Sequence, residues 1–140
     1  MKDQCIFCMI AEGTIPSVTI FEDDDFRVMM DINPASKGHC LIIPRKHFDN
    51  IYDLDHETAG KLFALATDIA RALKEALGCD GMNLVQNNGE IAGQTVFHFH
   101  LHLIPRYAGD DVKVGWVPHK SDPDELKSIC EAVSARLSSD

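Results

Sequence analysis

Three histidines alternate with large apolar residues in the segment HFHLHLIPR, residues 98–106. Successive side chains of a β-strand point to opposite faces, so His98, His100 and His102 would share one face of an extended segment. At ~3.3 Å per residue, the Cα atoms of neighbouring histidines would stand about 6.6 Å apart and the outer two about 13 Å. The opposite, apolar face, which could pack beneath a helix, comprises Phe97, Phe99, Leu101 and Leu103.

Such a row of imidazoles suits two chemistries. Neighbouring histidines can chelate a metal ion, and water activated by that ion would then be the nucleophile. Alternatively, one imidazole is itself the nucleophile, while its neighbours orient it and handle protons and charge. Imidazole suits attack on phosphorus because it carries an available lone pair near neutral pH. The spacing alone leaves both schemes open.

A second candidate site lies near the N-terminus, where CIFC places Cys5 and Cys8 three residues apart. That spacing allows two thiolates to bind one zinc ion. The alternative is a helical pair of ordinary buried cysteines. A zinc site would need two further ligands from elsewhere in the chain.

Two hydrophobic periods divide the chain into strands and helices. Apolar residues recur at helical spacing across residues 55–77, which predicts a long helix ended by Gly78. Asp122 and Pro123 begin a C-terminal helix as N-cap and first helical residue. The apolar face of the long helix comprises Leu62, Ala66, Ile69, Leu73 and Leu77. Strands are predicted at 17–21, 26–30, 39–44, 82–85 and 96–104, the first two as a hairpin.

The fold class predicted from these elements is α+β, an antiparallel sheet of about five strands with one long helix and a C-terminal helix. The 140 residues suit a single domain, spanning 1–140, and the contents of 45% hydrophobic and 25% charged residues are ordinary for a globular protein. A formal net charge of −9 argues against a nucleic-acid partner, since phosphates would be repelled. No apolar run approaches the ~20 residues of a membrane span, and no export signal is recognisable, so we expect a cytoplasmic protein without a membrane partner.

The histidine segment resembles the signature of the histidine triad (HIT) superfamily. The resemblance includes DINPASKGHCLIIPRKH at 31–47 and NNGEIAGQTVFHFHLHLIPR at 87–106, and it runs from Cys5 to about Arg106. It is strongest to the small Hint-like and bacterial branch. This resemblance implies a HIT-like homodimer of α+β protomers that binds purine nucleotides and cleaves at the α-phosphate through a nucleotidyl-histidine intermediate.

The resemblance also implies roles for individual residues. It makes His100 the catalytic nucleophile, places His102 against the phosphate oxygens, and adds His39 to the polar cluster. Thr95 matches a position near the phosphate and leaving group. The implied nucleotide contacts are Asp31 for the ribose hydroxyls, Ile32 against the base, Asn87 near the phosphate and Gln94 in the same loop. Several of these polar residues could instead serve only to make turns or begin a strand.

Bacterial members of the superfamily further imply the missing metal ligands. On this resemblance His47 and His98 join Cys5 and Cys8 around a structural zinc ion. One histidine of the triad then anchors the segment, one attacks and one stabilises charge.

The sequence therefore predicts an enzyme, a HIT-type nucleotidyl hydrolase or transferase whose leaving group is an amine (phosphoramidase) or a phosphate chain (dinucleoside polyphosphate hydrolase). Two other hypotheses stay open. One is a nucleotide-binding regulator with incidental hydrolysis, which would bind nucleotide tightly with negligible turnover. The other is a zinc-dependent hydrolase whose ion is held by the triad itself, and chelation would stop its chemistry at once.

Overall fold

A five-stranded antiparallel sheet is the centre of the computed structural model, which describes residues 4–137. The strands are β1 (Thr19–Glu22), β2 (Phe26–Met30), β3 (Cys40–Pro44), β4 (Gly81–Val85) and β5 (Leu101–Arg106), in the spatial order β1-β2-β3-β5-β4. The helices are α1 (Ile6–Glu12), α2 (His56–Leu77) and α3 (Pro123–Leu137), with a 3₁₀ turn at Glu90–Ala92. The predicted α+β fold class is confirmed.

Helix α2 covers one face of the sheet. Asp55 caps its N-terminus by accepting a hydrogen bond from the Thr58 amide at 2.6 Å, and Gly78 ends it in the left-handed conformation at φ +64°. Fully burying a large aliphatic side chain contributes ~1.5–3 kcal/mol, so the apolar stripe of α2 fixes the strands beneath it. The core formed there includes Leu62, Ala66, Ile69 and Leu73 of α2 with Val28, Cys40, Ile42, Leu101 and Leu103 of the sheet.

The opposite face of the sheet carries α1, which the sequence analysis did not predict as a helix. It is seven residues long, too short for its hydrophobic period to stand out, and Gly13 ends it at φ +87°. A second apolar cluster joins Phe7, Ile10 and Ala11 of α1 to Met29, Leu41 and Ile43 of the sheet. Leu41 pairs in register with His102, so α1 lies on the face of the sheet that carries this histidine.

The last strand begins later than predicted. β5 starts at Leu101, and residues 96–100 approach it through bends, so the prediction of three histidines in one extended strand is wrong. The physical reason is that the Phe99 amide donates at 2.6 Å to the carbonyl of Phe48, which lies in a loop outside the sheet. His98 and His100 therefore precede the strand, and of the triad only His102 lies in it.

The apolar face predicted for this segment is also partly wrong. Phe99, Leu101 and Leu103 are buried in the core beneath α2, as expected. Phe97 is instead 47% exposed, because the bends at 96–98 turn it away from the sheet.

The outer elements agree with their predicted signals. β1 and β2 form the predicted hairpin, although β1 begins two residues later than expected, and Asp23 Oδ1 closes the turn by accepting from the Phe26 amide at 2.7 Å. Helix α3 starts at Pro123, and Asp122 Oδ1 accepts from the Asp124 amide at 3.1 Å. Within residues 4–137, no helix is both long and apolar enough to cross a membrane.

Gly38 allows the loop before β3 to pass close to α2 and β5. Its φ of +93° lies in the left-handed region, which side-chain-bearing residues rarely adopt. A Cβ atom at this position would overlap the side chain of Leu77 and lie 3.2 Å from Cγ of Pro105. The pyrrolidine ring of Pro105 cannot rotate away, so this glycine is needed for both backbone conformation and space.

We expect Gly38→Ala to lower the free energy of unfolding more than Gly13→Ala, by about 1–3 kcal/mol, the usual cost of overpacking. Gly13 is the matched control because its φ of +87° is similar but a Cβ there would meet nothing within 4 Å. Urea unfolding of both variants measures the difference. Equal losses would mean that Leu77 moves aside at no cost and that only backbone strain matters.

The end of β5 is tied to the chain that follows it by Arg106. Its Nε and Nη2 each donate to a carboxylate oxygen of Asp110 at 2.8 Å, and its Nη1 donates to Asn83 Oδ1 at 2.8 Å. The Tyr107 amide also donates to Asp110, at 2.9 Å. The Arg106 guanidinium, and after it the Tyr107 amide, hold the pKa of Asp110 well below its usual range. The guanidinium is thus engaged within the protein.

Because the pKa of Asp110 is lower in the folded state than in the unfolded state, its contribution to stability is complete above the unfolded value of about 3.8 and is lost as pH falls below it. We expect Asp110→Asn to be less stable than wild type at pH 7 and to lose less stability between pH 5 and pH 3. Asp111→Asn, at the exposed neighbour, is the control in urea unfolding at each pH. Parallel pH profiles for the two variants would contradict the prediction.

Candidate active site and metal centre

His100 is held in one tautomer by the backbone. Its side chain is buried, and its Nδ1 lies 2.7 Å from the carbonyl oxygen of His98. A carbonyl oxygen can only accept, so Nδ1 carries the proton and Nε2 keeps its lone pair. The ring of Phe7 packs edge-on against the imidazole, with ring centres 4.9 Å apart. The arrangement presents an oriented, unprotonated nitrogen.

A chain of hydrogen bonds also determines which ring nitrogen of His39 and of His102 carries the proton. The Ala35 amide donates to Nδ1 of His39 at 2.9 Å, so the proton of His39 must be on Nε2. That nitrogen lies 2.9 Å from Nδ1 of His102 and donates to it. The neutral His102 ring then has its proton on Nε2, as a donor directed away from His39. Its centre is 5.0 Å from that of His100.

Burial keeps these imidazoles uncharged at neutral pH. It lowers the pKa of His98 and of His102 to about 4, and it lowers the pKa of His39 and His100 below the usual 6.5. For His102, the neighbouring histidines act in the same direction. The cluster therefore offers lone pairs and N–H donors rather than fixed positive charge.

Asp31 and Ile32 border the histidine cluster at the end of β2. Asp31 Oδ2 is 3.5 Å from Nε2 of His39, and its Oδ1 accepts from the Asn33 amide at 2.8 Å. Asp31 therefore stabilises a turn through Oδ1, which is the structural role that the sequence left open for it. Its other carboxylate oxygen, Oδ2, still faces the histidines. The Ile32 side chain is 85% exposed, an unusually bare position for isoleucine.

Asn87 and Thr95, both predicted near a phosphate, lie beside different cavities. Asn87 lines a cleft of about 740 Å³ with Ala35 and Val85, and Val85 pairs in register with His102. Thr95 is exposed and lines a pocket with Cys5 and His47. Asn87 is thus near the histidine cluster, whereas Thr95 borders the cysteines.

Gln94 supports the loop from inside. It is 2% exposed, its Oε1 accepts from the Gly89 amide at 2.8 Å, and its Nε2 donates to the carbonyls of Asp49 at 2.7 Å and Val96 at 3.0 Å. These bonds use the side-chain amide within the protein. A direct nucleotide contact by Gln94 stays a prediction that none of these bonds supports.

Cys5, Cys8, His47 and His98 come together although they lie on separate parts of the chain. One ligand atom from each falls within 4.8 Å of the others. The Sγ atoms of Cys5 and Cys8 are each 3.4 Å from Nδ1 of His98, and Cys8 Sγ is 3.3 Å from Nδ1 of His47. Sulfur and nitrogen ligands of a tetrahedral zinc ion stand about 3.5 Å apart, given Zn–S ~2.3 Å and Zn–N ~2.0–2.1 Å. The four residues fit such an ion.

The tautomers of the two histidines also fit a metal. Nε2 of His98 donates to the carbonyl of Pro44 at 2.7 Å, and Nε2 of His47 is 2.7 Å from a carboxylate oxygen of Asp49. A neutral ring that donates from Nε2 keeps the lone pair on Nδ1, and both Nδ1 atoms are directed at the thiols. Metal-binding histidines characteristically donate their second nitrogen in this way.

The triad does not converge on a single point. Among residues 4–137, metal-ligating atoms gather in two places: His98 belongs to the cysteine group, His102 belongs to a group with Asp31 and His39, and His100 belongs to neither. This division does not favour the hypothesis of an ion chelated by the three histidines together.

Several residues that shape the site escaped the sequence analysis. They are Phe7, which packs on His100, Asp49, which orients His47, and the backbone groups of Ala35 and Pro44. The His-x-Asp spacing of 47 and 49 is a signal that could have identified Asp49. Backbone donors and acceptors carry no signal in the sequence.

The HIT domain family model matches residues 12–109. The chain is 41% identical over 140 residues to protein hit of Bacillus subtilis, covering 98% of this chain and 97% of that protein. It is 36% identical over 134 residues to adenosine 5'-monophosphoramidase hnt1 of Schizosaccharomyces pombe, covering 95% and 98%.

The chain is also similar to solved structures of family members. A HIT family member from Bacillus subtilis superposes with a TM-score of 0.93 at 40% identity, covering 99% of this chain and 100% of that one. A zinc-bound histidine triad family protein from Mycobacterium smegmatis gives a TM-score of 0.75 at 39% identity, covering 97% and 96%.

Proposed function

The chain belongs to the HIT family, and from this premise we propose that it cleaves a purine nucleoside 5′-phosphate derivative at the α-phosphate through a nucleotidyl intermediate on His100. The observation that carries the proposal is the 2.7 Å contact between His100 Nδ1 and the His98 carbonyl, which leaves the Nε2 lone pair available. A relative named as an adenosine 5'-monophosphoramidase supports a nucleotide hydrolase in general and an amine leaving group in particular.

In the first step, Nε2 of His100 attacks the α-phosphorus. The N–P bond forms as the bond to the leaving group breaks, and the leaving group departs with that electron pair and takes a proton from solvent. The imidazole becomes cationic, and the His98 carbonyl, which accepts from Nδ1, stabilises this charge. The outward Nε2–H of His102 donates to a phosphate oxygen as negative charge builds up.

In the second step, water attacks the same phosphorus. The N–P bond breaks, its electron pair returns to Nε2, and the proton lost by water goes to solvent. The products are the nucleoside 5′-monophosphate and the protonated leaving group. His39 takes part indirectly, since its Nε2–H holds the His102 ring in place at 2.9 Å.

The nucleotide would be bound by the residues around this group. Oδ2 of Asp31, which faces the histidine cluster at 3.5 Å from Nε2 of His39, suits the ribose hydroxyls, and the bare side chain of Ile32 suits a flat base. Asn87, in the cleft next to Val85, suits a phosphate oxygen. The proposed position of Thr95 near the leaving group rests on the family resemblance alone.

We propose that the Cys5, Cys8, His47 and His98 cluster holds a structural zinc ion. The donor set, the ligand spacing and the zinc-bound relative support it. A zinc ion there would supply a rigid four-ligand crosslink. His98 would be fixed through its ring while its carbonyl orients His100, so the crosslink would position the nucleophile.

A homodimer and a cytoplasmic location are the remaining expectations. In support of a dimer, β4 is an edge strand, and α3 has no buried residue in the described part of the chain. The exposed apolar residues of α3 are Leu126, Ile129, Val133 and Leu137. The location stays a prediction from the sequence.

We expect an adenosine 5′-phosphoramidate to leave an adenylyl group on the wild-type protein and none on His100→Asn. Intact-protein mass spectrometry after brief mixing and quenching under basic denaturing conditions measures the adduct, and His56→Asn, at an exposed histidine, is the matched control. Product release without an adduct would contradict covalent catalysis. Bound nucleotide with neither adduct nor product would favour the regulator.

We expect Cys8→Ser to lose most of its bound zinc and to melt at a lower temperature, because metal binding is coupled to folding. Cys130→Ser, at an exposed cysteine outside the cluster, should keep one zinc ion per chain. Elemental analysis and thermal unfolding with and without a chelator measure both effects. If a chelator stops adduct formation at once without lowering the melting temperature, the ion is catalytic and the structural assignment is wrong.

A further inference from the structure

Helix α3 lies outside the part of the chain that matches the family. The HIT domain model ends at residue 109, and α3 begins at Pro123. Among residues 4–137, α3 contributes no buried side chain, although it is 15 residues long. Isolated helices of this length are marginal in water, so α3 needs a surface to pack against. The properties of the family domain do not account for this helix.

One side of α3 is apolar. At 3.6 residues per turn, five residues fall within about 100° of one another around the helix axis, the width that a helix with one buried face presents. All five are exposed in the single chain. We call this surface the α3 stripe, and its residues are Leu126, Ile129, Cys130, Val133 and Leu137.

The α3 stripe is complementary to a second copy of itself. Its centre lies between Ile129 and Cys130, close to the midpoint of the helix. If two α3 helices pack antiparallel about a two-fold axis there, Leu126 meets Val133 of the second copy and Ile129 meets Cys130 of the second copy. Each layer then joins a larger to a smaller side chain, which favours close packing. Two-fold contacts in which one patch meets itself are the commonest in homo-oligomers.

The charges beside the α3 stripe select the antiparallel arrangement. The first turn of α3 contains Asp124 and Glu125, and the last turn contains Arg136. Glu125 and Arg136 flank the stripe on the same side, since they are about three turns apart. Antiparallel pairing places Glu125 of each helix opposite Arg136 of the second copy, whereas parallel pairing would bring like charges together. It also aligns the two helix dipoles favourably.

We propose that α3 pairs antiparallel with α3 of a second copy of this chain through the α3 stripe. The pairing rests on the homodimer expected above, but not on nucleotide cleavage. At 1.5 Å per residue each helix is about 22 Å long, and two such helices bury less than the roughly 1,200–2,000 Å² of a standard stable interface. The α3 pair therefore strengthens a dimer rather than holding one alone.

Pairing would also fix the segment that leads to α3. Residues 112–115 line the cleft of about 740 Å³ that Asn87 borders. The ion pair between Arg106 and Asp110 holds the start of this segment, and a paired α3 would hold its other end. One wall of the cleft would thereby be steadied. This consequence rests on the proposed function, whereas the pairing itself does not.

Cross-linking tests the arrangement, because two-fold pairing brings Cys130 close to Cys130 of the second copy. The full chain is treated without nucleotide with a short bismaleimide, which joins two nearby thiols. We expect a covalent dimer whose peptide map shows a link through Cys130 and which Cys130→Ser lacks. The matched control is Cys130→Ser combined with Glu131→Cys, which moves the thiol to the opposite side of α3 and should link severalfold less.

Analytical ultracentrifugation measures the contribution of α3 to the dimer. Ile129→Glu places a charge in the middle of the α3 stripe. It should raise the dimer dissociation constant at least about tenfold, because charged residues are disfavoured in the core of an interface. Ser128→Glu adds the same charge on the opposite side of α3 and should behave like wild type.

A wild-type chain that stays monomeric at every concentration overturns both the pairing and the homodimer. Equal weakening by Ile129→Glu and Ser128→Glu overturns the pairing alone, as does equal linking through positions 130 and 131. Loss of the dimer in Ile129→Glu without a Cys130 link would place α3 on another surface of the second copy and also overturn the pairing. Because no nucleotide is present, these outcomes are independent of adenylyl adduct formation.

Discussion

The hydrogen bond from Nδ1 of His100 to the carbonyl of His98 is the contact on which the site depends. It holds because residue 98 is itself fixed on three sides: its Nε2 donates to Pro44 of β3, its Nδ1 faces both cysteines, and its backbone leads directly into β5. The same residue therefore connects the sheet, the segment that carries α1 and the proposed nucleophile. A change in any of these elements would be transmitted to the orientation of one imidazole.

The second constraint is that the histidines of the cluster are buried and uncharged. The four histidines of the cluster lie between the sheet and α1 or the neighbouring loops, and desolvation lowers the pKa of each. A neutral imidazole has one donor and one acceptor, so every tautomer is determined by its partner. Backbone groups of Ala35, Pro44 and residue 98 make these assignments. The two proposed sites use the same neutral imidazole in different ways, with a free Nε2 for attack on phosphorus and with Nδ1 lone pairs for zinc.

Much of the fold was predictable from short stretches of the sequence. The helical period across 55–77, its end at Gly78 and the start of α3 at Pro123 are each contained in a few neighbouring residues, and the structure agrees with them. The segment 96–104 was misjudged because alternation predicts an extended strand wherever it occurs. Whether the strand forms depends on a partner, and the Phe99 amide pairs with the Phe48 loop instead. Helix α1 was missed because seven residues contain too little periodicity.

The sequence by itself determined the kinds of groups and their order: three alternating histidines, a CxxC pair, an aspartate before His39, and an α+β succession of elements. These are properties of composition and spacing. The family resemblance implied that His98 joins the cysteines, but only the tertiary structure showed two separate groups, with His98 beside the cysteines and His102 beside Asp31 and His39. It also placed the backbone carbonyls and amides that set each tautomer, and it turned Gln94 inward. Side-chain spacing cannot specify these contacts, because they join residues up to 93 positions apart.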